Sequence, residues 1–276
     1  MKQFEGVLIC TDLDGTLLKN DKTISRENLE AIRYFKENGG FFTFVTGRMP
    51  CAVSRVADAV QPNVPFGCIN GGGLYDYQNH EYIWMQEMSR DVFELVAAAD
   101  KSIEGIGIWV DALDVSYFYR ENSATEHYKQ ASGTPNVTAH YRDIKTPIGK
   151  IVFAHPDEAR IAELIALLAA HPRAAEFDFI RSEKLFYEIL PKGIHKGVAL
   201  SVLATHLGVD IARTVAIGDY DNDIGMLQTA GVGVAVANAA PAVRAVADYM
   251  TVSNEEHAIA RVIADIESGR LAFEQA

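Results

Sequence analysis

The sequence predicts an α/β protein: a Rossmann-like, doubly wound parallel sheet as core, with an α+β cap domain inserted into it. Three observations carry this. Short apolar runs with the character of buried strands alternate with amphipathic helices over the first part of the chain. From about residue 84 the rhythm changes to strands paired by tight turns. After Pro191-Lys192-Gly193 the first rhythm returns. The expected core is therefore discontinuous, 1–83 and 191–276, and the expected insert is 84–190.

Gly6–Thr11 (GVLICT) reads as a strand apolar on both faces, as parallel strands are. Ser25 suits the N-cap of a helix whose Leu29, Ile32 and Phe35 share one face, and Gly39-Gly40 stops it. Phe41–Val45 is the next buried strand. Pro50 suits the first turn of a helix running to Val60. Phe66–Ile69 is a third strand, ended by Asn70-Gly71-Gly72-Gly73. Strand–helix–strand repetition implies right-handed crossovers.

The changed rhythm begins with a hairpin, Leu74–Tyr77 and Tyr82–Met85, around Gln78–His80. Ile106–Asp111 with Val115–Tyr119 forms a second hairpin, and Phe177–Arg181 with Leu185–Leu190 a third. Between them lie a strand, Ile148–Ala154, and an apolar helix, Pro156–Ala170. Such an insert has an antiparallel or mixed sheet and two or three helices. Tyr117, Phe118, Tyr119 and Tyr187 belong to its core or its face. The returning rhythm gives a helix to His206 stopped by Gly208, then a strand Thr214–Ile217 and a helix Asn222–Thr229. Strand Gly233–Val236, helix Pro241–Ala247, strand Tyr249–Val252 and helix Glu255–Ile266 complete it.

Composition bounds the function. The 276 residues are 49% hydrophobic and 22% charged, which excludes a disordered chain. The net charge of −12 repels phosphate backbones and anionic lipid, so neither nucleic acid nor a membrane surface is an expected partner. A small anion is still allowed where local cations reverse the sign. Cys10, Cys51 and Cys68 are too few for a disulfide framework, and Cys10 and Cys68 sit in apolar runs as small core residues. No apolar run has the length of a signal-peptide core or a membrane span, so a cytoplasmic protein is expected. The eight histidines lack metal-like spacing, and His127, His140 and His155 read as surface or loop residues. Gly67–Gly73 lacks the lysine and hydroxyl of a phosphate-binding P-loop.

Four segments carry chemistry. Asp12-Leu13-Asp14-Gly15-Thr16 follows the first strand directly. In open parallel sheets ligands sit outside the carboxyl ends of the strands, and two carboxylates there are costly unless they share a cation or a proton. Gly218-Asp219-Tyr220-Asp221-Asn222-Asp223 places a second acidic turn after another buried strand. Hard oxygen donors on two such turns suit Mg²⁺, while helix capping accounts for Asp221, which should be exposed. Thr46-Gly47-Arg48 offers a hydroxyl, backbone N–H groups and a guanidinium to phosphate oxygens. Lys196 opens a helix in His195-Lys196-Gly197, an unremarked setting for a lysine by itself.

Order and strand context make the four together specific. The chain resembles the haloacid dehalogenase superfamily of phosphohydrolases. Asp12 to Thr16 matches that family's DxDGT motif, Thr46 its strand-terminal hydroxyl, Lys196 its lysine, and Gly218 to Asp223 its acidic turn. The insert between the second and third motifs, and the Asn70-Gly71 turn, resemble its Cof-type branch with an α/β cap. The resemblance covers the whole chain.

It implies a Mg²⁺-dependent phosphatase acting on small phosphomonoesters such as sugar phosphates. Asp12 would be the nucleophile and Asp14 the general acid and then base. Thr46 and Lys196 would hold phosphoryl oxygens, with Gly47, Arg48, Asn70 and Asn222 as further substrate-binding positions. Asp12, the Asp14 carbonyl, Asp219 and Asp223 would be the metal positions, Asp223 and Asn222 also fixing their turn. The cap would close over the site and read the leaving group. Three other readings stay open: a phosphomutase of related architecture, a receiver-like phosphoacceptor without catalysis, and an inert binding protein that keeps the fold.

Overall fold

The structure, a computed structural model, describes residues 2–132 and 134–273. Its chain forms two compact units. One comprises Met1–Gly47, Arg55–Trp84 and His195–Ala276, and the other Arg48–Ser54 and Met85–Ile194.

The first unit is built on strands that the core encloses on both faces. β1 (Leu8–Thr11) is wholly buried. α1 (Arg26–Glu37) starts where the Ser25 hydroxyl accepts the Asn28 N–H, and it buries Ile32 and Phe35. β2 (Phe41–Phe44) follows. The helix expected from Pro50 opens as a 3₁₀ turn over Pro50–Val53 and becomes α2 (Ser54–Val60). β3 (Phe66–Cys68), β4 (Gly73–Asp76) and β5 (Glu81–Met85) make a separate three-stranded sheet in that order. β3 was expected beside β2; it meets that strand's end through a parallel bridge, Val45 to Gly67, and forms its ladder with β4.

The second unit contains α3 (Val92–Ser102), β6 (Gly107–Ala112), β7 (Val115–Arg120), α4 (Ser123–Ser132), β8 (Asn136–Thr138), β9 (Lys150–Ala154), α5 (Glu158–Ala169), β10 (Phe177–Glu183) and β11 (Phe186–Pro191). Its six strands run in the order β10-β11-β9-β6-β7-β8, antiparallel except for β7 with β8, so the sheet is mixed. Ile108, Val110, Ile151, Phe153 and Ile189 pack with Leu95, Val96, Ile161 and Leu164 of α3 and α5. Trp109, Phe118 and Val152 face the other way, toward Ala124 and Tyr128 of α4. The period of two along each strand thus sorts the four aromatics named above: Tyr117, Tyr119 and Tyr187 join the first cluster and Phe118 the second. The unit's three helices among the described residues agree in number with the two or three expected, though only α5 was placed in the sequence and neither α3 nor α4 was located. Asp91 makes no side-chain cap for α3, and α4 carries few apolar residues.

The chain then completes the first unit with α6 (Lys196–Leu207), β12 (Thr214–Gly218), α7 (Ile224–Thr229), β13 (Val232–Ala235), α8 (Pro241–Val246), β14 (Tyr249–Met250) and α9 (Ala258–Glu267). The last helix was expected from Glu255. A 3₁₀ turn over Asn254–Glu256 and a left-handed His257 (φ 63°) separate that segment from α9. The main sheet has the order β14-β13-β12-β1-β2, and every pair is parallel. α1 packs on α9, and α6 on α7. Each fully buried Leu, Ile or Phe in such a sheet contributes about 1.5–3 kcal/mol. The chain leaves β1 for β2 on one side, while β12 lies on the other, so the carboxyl ends of β1 and β12 mark the switch point where ligands bind. Cys10 and Cys68 are buried and free. Among the described residues no helix is long and apolar enough to cross a membrane.

Candidate active site

The switch point gathers the acids. Register pairs Thr11 with Ile217, and the Asp12 N–H donates to the Ile217 carbonyl at 2.8 Å, so Asp12 and Asp219 leave adjacent strand ends. Asp12, Asp219 and Asp223 each bring a carboxylate oxygen within 4.8 Å of the others. Lys196 joins them from the first turn of α6. Its ammonium donates to Asp12 Oδ1 at 2.5 Å and to Asp223 Oδ1 at 2.6 Å. The lysine is 1% exposed, so its charge works in a medium that screens little.

Asp223 has both oxygens committed. Oδ1 takes the lysine, and Oδ2 accepts the backbone N–H groups of Asp219 (2.9 Å) and Tyr220 (3.1 Å). Asp219 Oδ1 accepts the Thr16 hydroxyl at 2.9 Å. Gly15 stands beside its other oxygen, at φ +81°, where a Cβ would lie 2.4 Å from Asp219 Oδ2. Only glycine fits there, both for its left-handed conformation and for the space it leaves open next to a carboxylate. Gly71, at φ +95°, packs as closely on the His195 carbonyl and so fixes the approach to Lys196.

Thr46 is buried at the same end of the sheet. Val45 donates to the Thr11 carbonyl, and the Thr46 carbonyl accepts the Asn70 N–H at 3.0 Å. Asn70, left-handed at φ 53°, accepts the Asn222 amide at 3.1 Å, tying the turn after β3 to the acidic turn after β12. A Cβ on Gly47 would lie 2.8 Å from Asn70 Oδ1, so these two are neighbours as well. Arg48 differs: it belongs to the second unit. Asp14 is set apart from the buried acids. Its side chain is 40% exposed and its carboxylate is paired with Lys22 at 2.8 Å. Asp221 is exposed and lies in the 3₁₀ turn Asp221–Asp223. Thr16, Lys22 and Asn238, whose amide donates to the Gly15 carbonyl at 2.8 Å, were not singled out for any role. Thr16 could have been found as part of the first motif; an exposed lysine and a loop asparagine give no local signal.

Three carboxylates around one ammonium leave a net charge of −2 if all are ionised. Burial pushes the Asp12 carboxyl up to about 8, Asp223 and Asp219 adding to it against the pull of Lys196. Asp219 rises to about 6 from burial and the neighbouring Asp223. Burial disfavours the Lys196 ammonium, but Asp12 and Asp223 more than offset this and raise it, so it stays charged. Hard oxygen donors, an excess of negative charge and the gap left by Gly15 fit a small divalent cation.

A consequence is measurable without substrate. Between the ordinary carboxylate range and about 8 the folded metal-free protein holds protons that the unfolded chain has released. Its stability therefore rises as the pH is lowered from about 8 toward 6. Calorimetry in EDTA should show the melting temperature rising over that interval, and saturating Mg²⁺ should flatten the dependence. A melting temperature that falls on acidification in EDTA would contradict this account of the site.

Comparisons with known proteins identify the family. The family model of haloacid dehalogenase-like hydrolases matches residues 9–263. The 5-amino-6-(5-phospho-D-ribitylamino)uracil phosphatase YitU of Bacillus subtilis is 30% identical over 263 residues, covering 93% of this chain and 96% of its own. The HMP-PP phosphatase of Escherichia coli is 29% identical over 255 residues, 89% of each chain. A haloacid dehalogenase-like hydrolase from Bacteroides thetaiotaomicron has a similar solved structure, with a TM-score of 0.84 and 26% identity over 94% of this chain and 99% of that one. The chain belongs to the haloacid dehalogenase-like hydrolase family.

Proposed function

We propose that this phosphohydrolase cleaves small phosphomonoesters of metabolites, with Mg²⁺, through an aspartyl-phosphate on Asp12. The observation that carries the reading is the Lys196 ammonium held between Asp12 and Asp223 at the end of the sheet. It fixes one oxygen of Asp12 and leaves the other for attack on phosphorus. The Asp12–phosphorus bond forms as the ester P–O bond breaks, and Asp14 gives its proton to the departing oxygen. Asp14 then takes a proton from water, which displaces Asp12 and releases phosphate. Its exposure and its pairing with Lys22 suit a group that must lose and regain a proton at the solvent edge.

Thr46 and Lys196 hold phosphoryl oxygens, with Gly47, Arg48, Asn70 and Asn222 as the further binding positions. Asp12, the Asp14 carbonyl and Asp219 would hold Mg²⁺, which when bound supplies positive charge to the phosphoryl oxygens. Asp223, with both oxygens committed to Lys196 and to the Asp219 and Tyr220 N–H groups, holds the turn and would serve the metal only indirectly. The relatives' named substrates are small phosphorylated metabolites, and the net charge of −12 favours such a partner over nucleic acid or membrane, in a cytoplasmic setting. The test is phosphate release from a panel of small phosphomonoesters with Mg²⁺ present. Release from several is expected, and release from none overturns the reading.

Asp14→Asn separates acid from nucleophile. It should slow alkyl phosphates by roughly 10²–10⁴, the usual worth of a general acid. It should slow formation of the covalent intermediate from p-nitrophenyl phosphate much less, because that leaving group departs without a proton. Single-turnover bursts read the first step alone. Equal slowing for both esters would make Asp14 structural.

A further inference from the structure

Lys22 stands in a backbone conformation that favours glycine. It is left-handed, at φ 65°, where a residue with a Cβ is strained. The turn around it is closely built. The Lys22 N–H donates to the Lys19 carbonyl and the Lys19 N–H to the Thr23 carbonyl, both at 2.9 Å. Asp21 Oδ1 accepts the Thr23 N–H at 3.0 Å and the Thr23 hydroxyl at 2.6 Å. The base of the turn is anchored as well. Leu17 and Leu18 are buried, and the buried Asn254 donates its amide to the Leu18 carbonyl at 3.0 Å. The Asn20 N–H donates to Glu255 Oε1 at 2.7 Å. All of these residues belong to the first unit. Together they fix where the turn points, and the Lys22 ammonium donates to Asp14 Oδ1 at 2.8 Å.

Stability does not account for this arrangement. The lysine side chain is 64% exposed and the aspartate 40%. An ion pair so open to solvent contributes less than a left-handed residue with a Cβ costs. Strain that the fold does not repay marks a place where the side chain has another use. The chemistry of the pair narrows that use. An ammonium donates and does not accept, so the oxygen it holds stays an acceptor, and a proton carried by Asp14 is confined to Oδ2. A carboxyl held by one oxygen presents the other in a fixed direction. Proton transfer to a departing oxygen depends on that direction.

We propose that Lys22 is a positioning residue: it holds Asp14 by Oδ1 so that Oδ2 is presented to the ester oxygen. The destination of the proton rests on the phosphohydrolase reading given above; the hold on Asp14 does not. Oδ2 gives its proton to the ester oxygen as that oxygen's bond to phosphorus breaks, and takes one back from the attacking water in the second step. The full chain with Mg²⁺ is assayed on glucose 6-phosphate, glycerol 3-phosphate and p-nitrophenyl phosphate. Lys22→Gly removes the ammonium and relieves the strained backbone. It should lower kcat on the two alkyl esters by about tenfold or more, with KM within about twofold. The single-turnover burst from p-nitrophenyl phosphate should change little, and the melting temperature should match or exceed that of the wild type. Lys22→Arg, which keeps a cationic donor, should recover part of the kcat lost in Lys22→Met. In the Asp14→Asn background, Lys22→Gly should cost nothing further. Equal losses on all esters, tracking a lowered melting temperature, would make the turn structural and overturn the proposal. A raised KM with kcat unchanged would overturn it too, because Lys22 would then bind substrate, and so would activity equal to that of the wild type. Crystal structures of the wild type and Lys22→Gly need no substrate: the Asp14 carboxylate should hold one orientation in the first and more than one in the second. One shared orientation overturns the proposal. If the wild type cleaves no ester yet the orientations differ, the phosphohydrolase reading fails and the hold on Asp14 stands.

Discussion

Asp12→Asn should lower kcat by at least about a thousandfold on every phosphomonoester, the scale of loss seen when a covalent nucleophile is removed. The substitution changes little else. An amide has the shape of the carboxylate, and its oxygen can still accept the Lys196 ammonium that now bonds Asp12 Oδ1. What it lacks is the charge that would attack phosphorus. Above about pH 8, where the metal-free Asp12 carboxyl is ionised, removing that charge relieves the crowding of three buried acids around one lysine, so there the melting temperature of the metal-free variant should match or exceed that of the wild type. The paired measurements are steady-state kcat and thermal unfolding in EDTA. Activity near that of the wild type, with the fold intact, would mean that water attacks directly and that no aspartyl-phosphate forms. A large loss of stability would mean that Asp12 serves the fold first.

The parts of this site legible in the sequence were those that follow from strand ends. Asp12 and Asp219 each stand just past a run that is apolar on both faces, and in a parallel sheet such runs end at a common edge. Lys196 was different. Nothing local marks a lysine at a helix start, and only its order among the other segments suggested the role its two ion pairs now support. Partners set by loop geometry were not legible. Asp14 meets Lys22 because the chain turns back within eight residues, and Asn70 meets Asn222 across 152 residues. Asp223 matched the acidic motif as well as Asp219, but composition does not tell a carboxylate that accepts two backbone N–H groups from one left open to a cation. In the second unit, period-two patterning identified the hairpins and hid the buried charges. Asp111 and Lys150 occupy positions that the pattern assigns to packed residues, and their burial becomes visible only when β6, β9 and β11 are set in register. Helix α4 escaped because its contribution to the core comes from Ala124 and Tyr128 rather than an apolar stripe.

Removing divalent metal should abolish phosphate release, by at least about a hundredfold, and added Mg²⁺ should restore it. The argument begins with charge. Asp12, Asp219 and Asp223 crowd within 4.8 Å, and Lys196 neutralises one of the three. A phosphate monoester brings further negative charge to the same place, and at ordinary pH the cluster repels it unless a cation intervenes. Without one, burial keeps Asp12 protonated up to about pH 8, and a protonated carboxyl is no nucleophile. The same cation would therefore do two things: attract the substrate and lower the proton affinity of Asp12, the proposed nucleophile. Two readouts follow. In EDTA any residual activity should rise with pH as Asp12 loses its proton, whereas with Mg²⁺ that rise should move to lower pH. Mg²⁺ should also raise the melting temperature, since a ligand at a hundred times its dissociation constant contributes about 2.7 kcal/mol. Asp219→Asn should weaken both effects by removing a charge from the cluster, while Gly15→Ala should do so by steric means, placing a methyl group 2.4 Å from Asp219 Oδ2. Full activity in metal-free buffer, with no Mg²⁺-dependent change in melting temperature, would leave the buried acids to Lys196 alone and would require some other source of positive charge for the phosphoryl group.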